Sequence, residues 1–213
     1  MYPVSKALVV TREDMIATAN QYIPPINEWT PEVDRTNAVD PTWHSWYKTK
    51  KNGGTPPYNV MPYCWSGFDT PSELKSRVEK KSNPVPAGGY GTGQYHYPTT
   101  YIAGIDCSGF VIRCWGLTHY GNYQEDLLNY ALEIPEENLK KDLKKGDLLR
   151  KSGHSILYVS GSFSGTGKCN IYESQADPTT GAKYPGVVRH SRTLSKDEYT
   201  PYSIFPQFSD ESP

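Results

Sequence analysis

The stretch Gly-Ile-Asp-Cys-Ser-Gly-Phe-Val, residues 104–111, places a cysteine directly after an aspartate at the start of an apolar segment. Apolar residues then recur at the 3.6-residue spacing of one helix face, at positions 107, 110, 111, 114 and 117. Aspartate is a favoured N-cap residue because its side chain accepts a hydrogen bond from a free N–H of the first turn. The pattern therefore predicts a buried helix that Asp106 caps, that begins at Cys107 and that ends near Gly121.

A cysteine in the first turn of a helix is well placed for nucleophilic chemistry. The reactive form is the thiolate, and the unpaired N–H groups and aligned peptide dipoles of a helix N-terminus favour negative charge. The small residues Ser108 and Gly109 keep the helix start open, and free N–H groups there can bind the oxyanion of a tetrahedral intermediate. The alternative interpretation of Cys107 is a small buried hydrophobic residue, which its position alone does not exclude.

One of the five histidines is well placed to act as a general base. His154 stands just before the predicted strand Ile-Leu-Tyr-Val-Ser, residues 156–160, so the backbone fixes the direction of its side chain. His190 lies inside a later predicted strand, and the remaining three, on loops or at a helix end, are His44, His96 and His119. We therefore expect His154 to accept the thiol proton of Cys107.

A general base needs an acceptor for its second ring nitrogen. The strand after that of His154 supplies Glu173 within Ile-Tyr-Glu-Ser, residues 171–174, and adjacent antiparallel strands can bring the two side chains together. The alternative interpretation of Glu173 is an ordinary solvent-facing strand residue.

The order of predicted elements indicates the fold class. Helices are predicted at about 12–23, after Thr70, at the cysteine segment and at about 123–131. Short segments rich in β-branched and aromatic residues follow, separated by turn-forming residues, at 146–151, 155–160, 170–174, 187–191 and 202–205. Helices followed by consecutive strands predict an α+β fold with an antiparallel sheet.

Composition limits the classes of partner. The 213 residues, enough for one domain with a full core, carry a net charge of -1, so no strong field attracts nucleic acid. No apolar run reaches the ~18–20 residues needed to cross a bilayer. The 17 tyrosines, 18 glycines and 18 prolines fit a loop-rich extracellular protein that meets sugars or peptides. If the protein is exported, we expect its signal peptide to be absent from this sequence.

The four cysteines do not fix the redox compartment. With Cys107 used in chemistry, at most one disulfide remains possible, and Cys114 is expected to be buried and inert. Two helical turns separate these two residues by roughly 10 Å, too far for a bond between them. No Cys-x-x-Cys or His-x-x-x-His spacing supports zinc binding, so we expect no metal and no cofactor.

Three segments together resemble the NlpC-type family of papain-like cysteine peptidases, bacterial enzymes that cut the stem peptides of peptidoglycan. They are Asp-Cys-Ser-Gly-Phe-Val at 106–111, Lys-Gly-Asp-Leu at 145–148 and His-Ser-Ile-Leu-Tyr-Val at 154–159. The resemblance, over roughly residues 60–205, implies a papain-like core whose antiparallel sheet packs on a helix bearing the nucleophilic cysteine at its N-terminus. It also implies an N-terminal extension, residues 1–60, packed on a peptidase domain, residues 61–213, with an insertion at about 68–103.

The resemblance also assigns roles to residues other than Cys107 and His154. The third catalytic position of the family falls on Glu173, where histidine is the commoner residue. The segment Tyr-Cys-Trp-Ser-Gly at 63–67 is similar to the family's Tyr-x-x-Gly-Gly, with Ser66 in place of the first glycine. By that similarity Tyr63 borders the site, and its hydroxyl joins the backbone N–H of Cys107 in stabilising the oxyanion.

The implied substrate is a peptidoglycan stem peptide, most often cut between D-γ-glutamate and a diamino acid. Asp106 and Ser108 flank the nucleophile and are expected to bind amino or amide groups of that peptide. The implied location is extracellular, periplasmic or cell-wall associated. Alternatives are a Cys-His acyltransferase or amidase on another substrate, and a non-catalytic wall-binding module. A pure binder has no need of both Cys107 and His154, which argues against the last.

The Gly- and Tyr-rich loop at 84–98 runs into the cysteine motif. We expect the inserted segment that contains it, residues 68–103, to wall one end of the cleft and narrow the substrate range, and the alternative is a solvated surface decoration.

Overall fold

The computed structural model describes residues 10–23, 61–80, 88–90, 103–117, 127–163, 167–176 and 186–204. The helices are α1 (Arg12–Gln21), α2 (Pro71–Val78), α3 (Cys107–Cys114) and α4 (Leu139–Asp142), with a 3-10 turn at Glu136–Asn138. The strands are β1 (Cys64–Trp65), β2 (Gly89–Tyr90), β3 (Ala131–Glu133), β4 (Leu148–Lys151), β5 (His154–Gly161), β6 (Lys168–Gln175), β7 (Gly186–Thr193) and β8 (Thr200–Ile204).

A six-stranded antiparallel sheet in the order β3-β8-β4-β5-β6-β7 forms the centre of the fold. Strands β4 to β7 pair with their neighbours in sequence, and β8 returns to the other side of β4. The five predicted strands correspond to β4 to β8. The α+β class with an antiparallel sheet is therefore confirmed.

Successive side chains of a strand point to opposite faces of the sheet, so the buried residues form one core layer on each face. Leu148, Leu157 and Tyr172 belong to the larger cluster, which also contains buried apolar residues of α1 and α3, among them Met15 and Phe110. Their neighbours Leu149, Ile156 and Ile171 belong to a second cluster, against which Leu139 and Leu143 pack. The sheet is thus apolar on both faces, and α3 lies on one of them.

The cysteine-bearing helix is shorter than the apolar stripe predicts. It ends at Cys114 rather than near Gly121, because Gly116 has a φ of 67° and closes a Schellman motif. In that motif the N–H of Gly116 donates to the Arg113 carbonyl and the N–H of Leu117 to the Ile112 carbonyl. Leu117 stays buried as the apolar residue beyond the cap, which extends the stripe past the helix itself.

Two further predictions differ from the structure or fall outside it. The helix predicted at about 123–131 is wrong at its end, because Ala131 begins edge strand β3 and pairs with Ile204. Residues 123–126 lie outside the described ranges. So does most of the 84–98 loop, of which only Gly88, Gly89 and Tyr90 are described. The short parallel pair of β1 with β2 was not predicted.

Helix α1 joins the N-terminal part of the chain to the core. Thr11 and Asp14 form a capping box at its start. Its buried face includes Met15, and Tyr22 just beyond its end meets Phe110 of α3 edge to face, with ring centroids 5.4 Å apart. The boundary predicted at residue 60 stays a prediction. Within the described ranges, every helix is too short or too polar to cross a lipid bilayer.

A buried ion pair fixes α1 to the turn that leads into β4. Arg12 donates to Asp147 over 2.7 Å and to the carbonyl of Lys145 over 2.7 Å, and Asp147 is fully buried. The backbone N–H of Lys144 donates to the second oxygen of the same carboxylate. This carboxylate therefore depends on Arg12 for its charge compensation.

Replacing Arg12 by Met is expected to lower the free energy of unfolding by roughly 3 kcal/mol, because it leaves the Asp147 carboxylate buried without its counter-charge. Lys145→Met is the matched control, since it removes only the exposed pair with Glu13 and should cost less than about 0.5 kcal/mol. Urea denaturation followed by circular dichroism measures both. Equal losses in the two variants would contradict a structural role for the buried pair.

Candidate functional site

The carboxylate of Asp106 organises the start of α3. One oxygen accepts from the N–H of Gly109 at 2.6 Å and from the Ser108 hydroxyl at 3.1 Å. The other accepts from the N–H of Ser66 at 3.0 Å, in the segment that follows β1. Burial raises the pKa of Asp106 to about 6, against the opposing effect of these hydrogen bonds. Asp106 thus caps the helix and attaches it to a second segment.

Close backbone contact between these segments requires glycine. A Cβ on Gly109 would lie 2.6 Å from the carbonyl oxygen of Gly67, and a Cβ on Gly67 would lie 2.5 Å from that of Gly104. Side chains at either position would force the segments apart. Ser66 itself has a φ of 60°, in the left-handed region that favours glycine. The turn before Gly67 is therefore held in a conformation that a non-glycine residue rarely adopts.

Three predicted residues meet where α3 and β5 begin. The Cys107 thiol interacts with the His154 imidazole and raises its pKa. Nε2 of His154 donates to Oε2 of Glu173 at 2.5 Å, which leaves Nδ1 as the ring nitrogen for the thiol. Glu173 is fully buried, and the side chain of His154 is 18% exposed. A thiol, an imidazole and a carboxylate are thus connected in series.

Strand register explains how the histidine and the carboxylate meet. Leu157 of β5 pairs with Tyr172 of β6, so Glu173 lies opposite Ile156 and diagonal to His154 on the same face of the sheet. Diagonal neighbours in an antiparallel pair are within reach of long side chains. The alternative of a solvent-facing Glu173 is excluded by its burial.

Hydrogen bonds to β6 and to the turn before β4 fix the two ends of the cysteine helix. The Ser174 hydroxyl donates to the carbonyl of Ile105 at 2.7 Å, two residues before Cys107. At the other end, the indole N–H of Trp115 donates to the carbonyl of Gly146 at 2.8 Å. Both bonds are buried. Because Ser174 follows Glu173 in β6, the same strand end holds the carboxylate and anchors the loop that leads to the cysteine.

The positive charge of His154 and the negative charge of Glu173 stabilise each other. Burial lowers the pKa of His154, but its hydrogen bonds and charge interactions with Cys107 and Glu173 outweigh burial and raise it to about 9. Burial likewise raises the pKa of Glu173, but hydrogen bonds from His154 and His190 and nearby positive charge hold it well below its usual range. At neutral pH the pair is therefore an imidazolium and a carboxylate.

Two residues of β7 at the site were not among the predicted site residues. Nε2 of His190 donates to Oε1 of Glu173 at 2.6 Å, and Arg192 lies 3.2 and 3.3 Å from the two carboxylate oxygens. His190 was predicted only to lie inside a later strand. The strand predicted at 187–191 includes His190 but stops before Arg192, and the register with β6 that brings both side chains to Glu173 is not visible in one segment.

The structure gives the predicted substrate-binding residues structural contacts. Asp106 and Ser108 are both buried in the cap described above. Tyr63 is buried, and its backbone bridges to Ile105 just before the cysteine motif. Binding of substrate by these residues stays a prediction.

All four cysteines are free thiols and buried. Burial raises the pKa of Cys114 well above its usual value, in agreement with the inert residue expected there. Among the residues that the structure describes, no group of three or more His, Cys, Asp or Glu side chains is arranged to hold a metal ion.

No protein-family model, no curated protein and no solved structure matches this chain. The case for a function therefore depends on the motifs of the sequence and on the chemistry of the side chains around Cys107.

Proposed function

We propose that the protein is a papain-like cysteine peptidase similar to the NlpC-type family, and that it hydrolyses amide bonds in peptidoglycan stem peptides. The observation that carries the proposal is the series of Cys107, His154 and buried Glu173 at a helix N-terminus. Each member has the chemical type and contact that nucleophile, base and orienting group require.

In the proposed reaction, the Cys107 proton lies on Nδ1 of His154 before the substrate binds, and the Cys107 thiolate attacks the carbonyl carbon of the amide. The tetrahedral intermediate collapses as His154 gives that proton to the leaving amine, and a thioester remains on Cys107. His154 then removes a proton from water, whose oxygen attacks the thioester. Collapse releases the carboxylic acid and the Cys107 thiolate, and the proton stays on His154. Glu173 keeps the imidazole oriented and stabilises its positive form.

The oxyanion needs N–H donors at the start of α3. Asp106 uses the N–H groups of Ser108 and Gly109 for capping. The N–H of Cys107 is the remaining donor of the first turn, and we assign it to the oxyanion, with the Tyr63 hydroxyl as the second donor. The proposed papain-like core places these donors beside the thiol.

The proposed substrate class and location come from the family resemblance. One local feature supports it: the family's Tyr-x-x-Gly-Gly has glycine where this chain has Ser66, and Ser66 adopts a left-handed conformation that suits glycine. A stem-peptide hydrolase acts outside the cytoplasm, so we place the protein in the periplasm, in the cell wall or outside the cell.

Purified peptidoglycan and free muropeptides, incubated with the protein and analysed by mass spectrometry, test the proposal. Fragments cut within the stem peptide support it. Fragments joined to an added amine would indicate acyl transfer instead, and binding without any cleaved product would indicate a wall-binding module.

Replacing Cys107 by Ala is expected to abolish cleavage while the protein stays folded, because a small residue in the first helical turn costs little packing. Circular dichroism and mass spectrometry of the digest measure the two effects. Cys114→Ala is the control and should keep its activity if it folds. Undiminished cleavage by the Cys107→Ala variant would remove Cys107 from the mechanism.

His154→Ala is expected to lower kcat/KM by several orders of magnitude, and Glu173→Gln by about 100-fold. The amide oxygen of glutamine still accepts from the imidazole N–H but does not stabilise its charge. Steady-state rates on a stem peptide measure both. Near-native rates in both variants would place the base elsewhere.

Titration of His154 gives a test that needs no substrate. Its raised pKa means that the ring keeps its proton until the pH approaches about 9, whereas an ordinary histidine loses it near ~6.5. Glu173→Gln and Cys107→Ala each remove a partner that favours the imidazolium, so both should move the midpoint to lower pH. Ring signals followed by NMR measure it. A wild-type midpoint at the ordinary value would contradict the charge pairing.

A further inference from the structure

Glu173 is held by side chains from both neighbouring strands. His154 comes from β5, and His190 and Arg192 come from β7. The carboxylate is fully buried, while the three partner side chains are between 17% and 20% exposed. These contacts converge on one interior charge at the candidate site.

The three partners make different kinds of contact with the carboxylate. Each histidine binds its own oxygen, His154 at Oε2 over 2.5 Å and His190 at Oε1 over 2.6 Å. One Arg192 nitrogen lies almost equally far from both oxygens, at 3.2 and 3.3 Å. Arg192 therefore supplies charge with little preference for either oxygen. The two histidine bonds define the plane of the carboxylate.

We propose that His190 is a positioning residue, which fixes the carboxylate of Glu173 so that Oε2 stays aligned with His154. The terminal torsion of a glutamate side chain is broad, so a single hydrogen bond leaves the carboxylate free to turn. A second directional bond on the other oxygen removes that freedom. This inference rests on the proposed function, because alignment of His154 matters only if Cys107 reacts.

The geometry separates this role from that of a base. Nε2 of His190 is committed to Glu173, whereas the residue that interacts with the Cys107 thiol is His154. His190 of β7 lies opposite Ile171 of β6, which makes it a diagonal neighbour of Glu173. His154 is the diagonal neighbour of Glu173 on the other side of β6, in β5. His190 therefore acts on the thiol only through the carboxylate and the first imidazole.

Two variants of similar length test the role. Gln at position 190 offers an N–H donor to Glu173, and Met offers none. The rate of Cys107 alkylation by iodoacetamide at pH 7, followed by peptide mass spectrometry, needs no substrate. His190→Met should lower this rate about 10-fold, a loss of the size seen when the ligands of a metal site lose an outer hydrogen-bond partner, because Glu173 loses its second directional bond, and His190→Gln should restore it to within about threefold of wild type.

Ser191→Ala is the matched control, because Ser191 is the adjacent residue of β7 and its hydroxyl donates to Asn170 at the exposed side of the sheet. It should leave the alkylation rate unchanged. Circular dichroism of each variant establishes that it is folded.

A wild-type rate in His190→Met would overturn the proposal. So would a His190→Gln variant as slow as His190→Met, because the imidazole itself would then be needed. Should a variant fail to fold, NMR of the wild-type protein decides: the proposal requires the His190 ring proton on Nε2 to be hydrogen-bonded, and a proton on Nδ1 alone overturns it. Failure to cleave peptidoglycan alongside the expected alkylation rates would count against the proposed function only.

Discussion

The hydrogen bonds of the Asp106 carboxylate are the constraint on which the site depends. They join the first turn of α3 to the backbone at Ser66, across a contact so close that Gly67 and Gly109 have no room for side chains. A change in any partner would alter the cap and the attached segment together. The position of Cys107 is therefore set by backbone packing rather than by its own side-chain contacts.

The second constraint is electrostatic. A carboxylate taken out of water costs several kcal/mol unless neighbouring groups compensate it, and Glu173 receives that compensation from two histidines and an arginine. An apolar residue of similar size at position 173 of β6 would need no charged or polar partners from β5 and β7. A buried ionic group of this kind is common where pKa values must be shifted for chemistry, and the raised pKa of His154 comes from Cys107 together with this carboxylate.

Local signals in the sequence were sufficient for the fold class and for the pairing of His154 with Glu173. Alternation predicted the strands, and the aspartate cap predicted where α3 begins. The predicted end of that helix was wrong because the apolar stripe continues to Leu117. The helix itself ends before Gly116, whose left-handed conformation forms the C-terminal cap. The roles of His190 and Arg192 depend on the register of β6 with β7, and register is a property of paired strands that no single segment reveals.

The two constraints meet at the end of β6. Glu173 and Ser174 are consecutive, so they point to opposite faces of the strand: one binds the histidine, and the other binds the loop that leads into α3. Any shift of this strand end moves the carboxylate and the cysteine loop together. The position of the thiol relative to the imidazole therefore depends on the end of β6, because Glu173 binds His154 and Ser174 binds the loop that precedes Cys107.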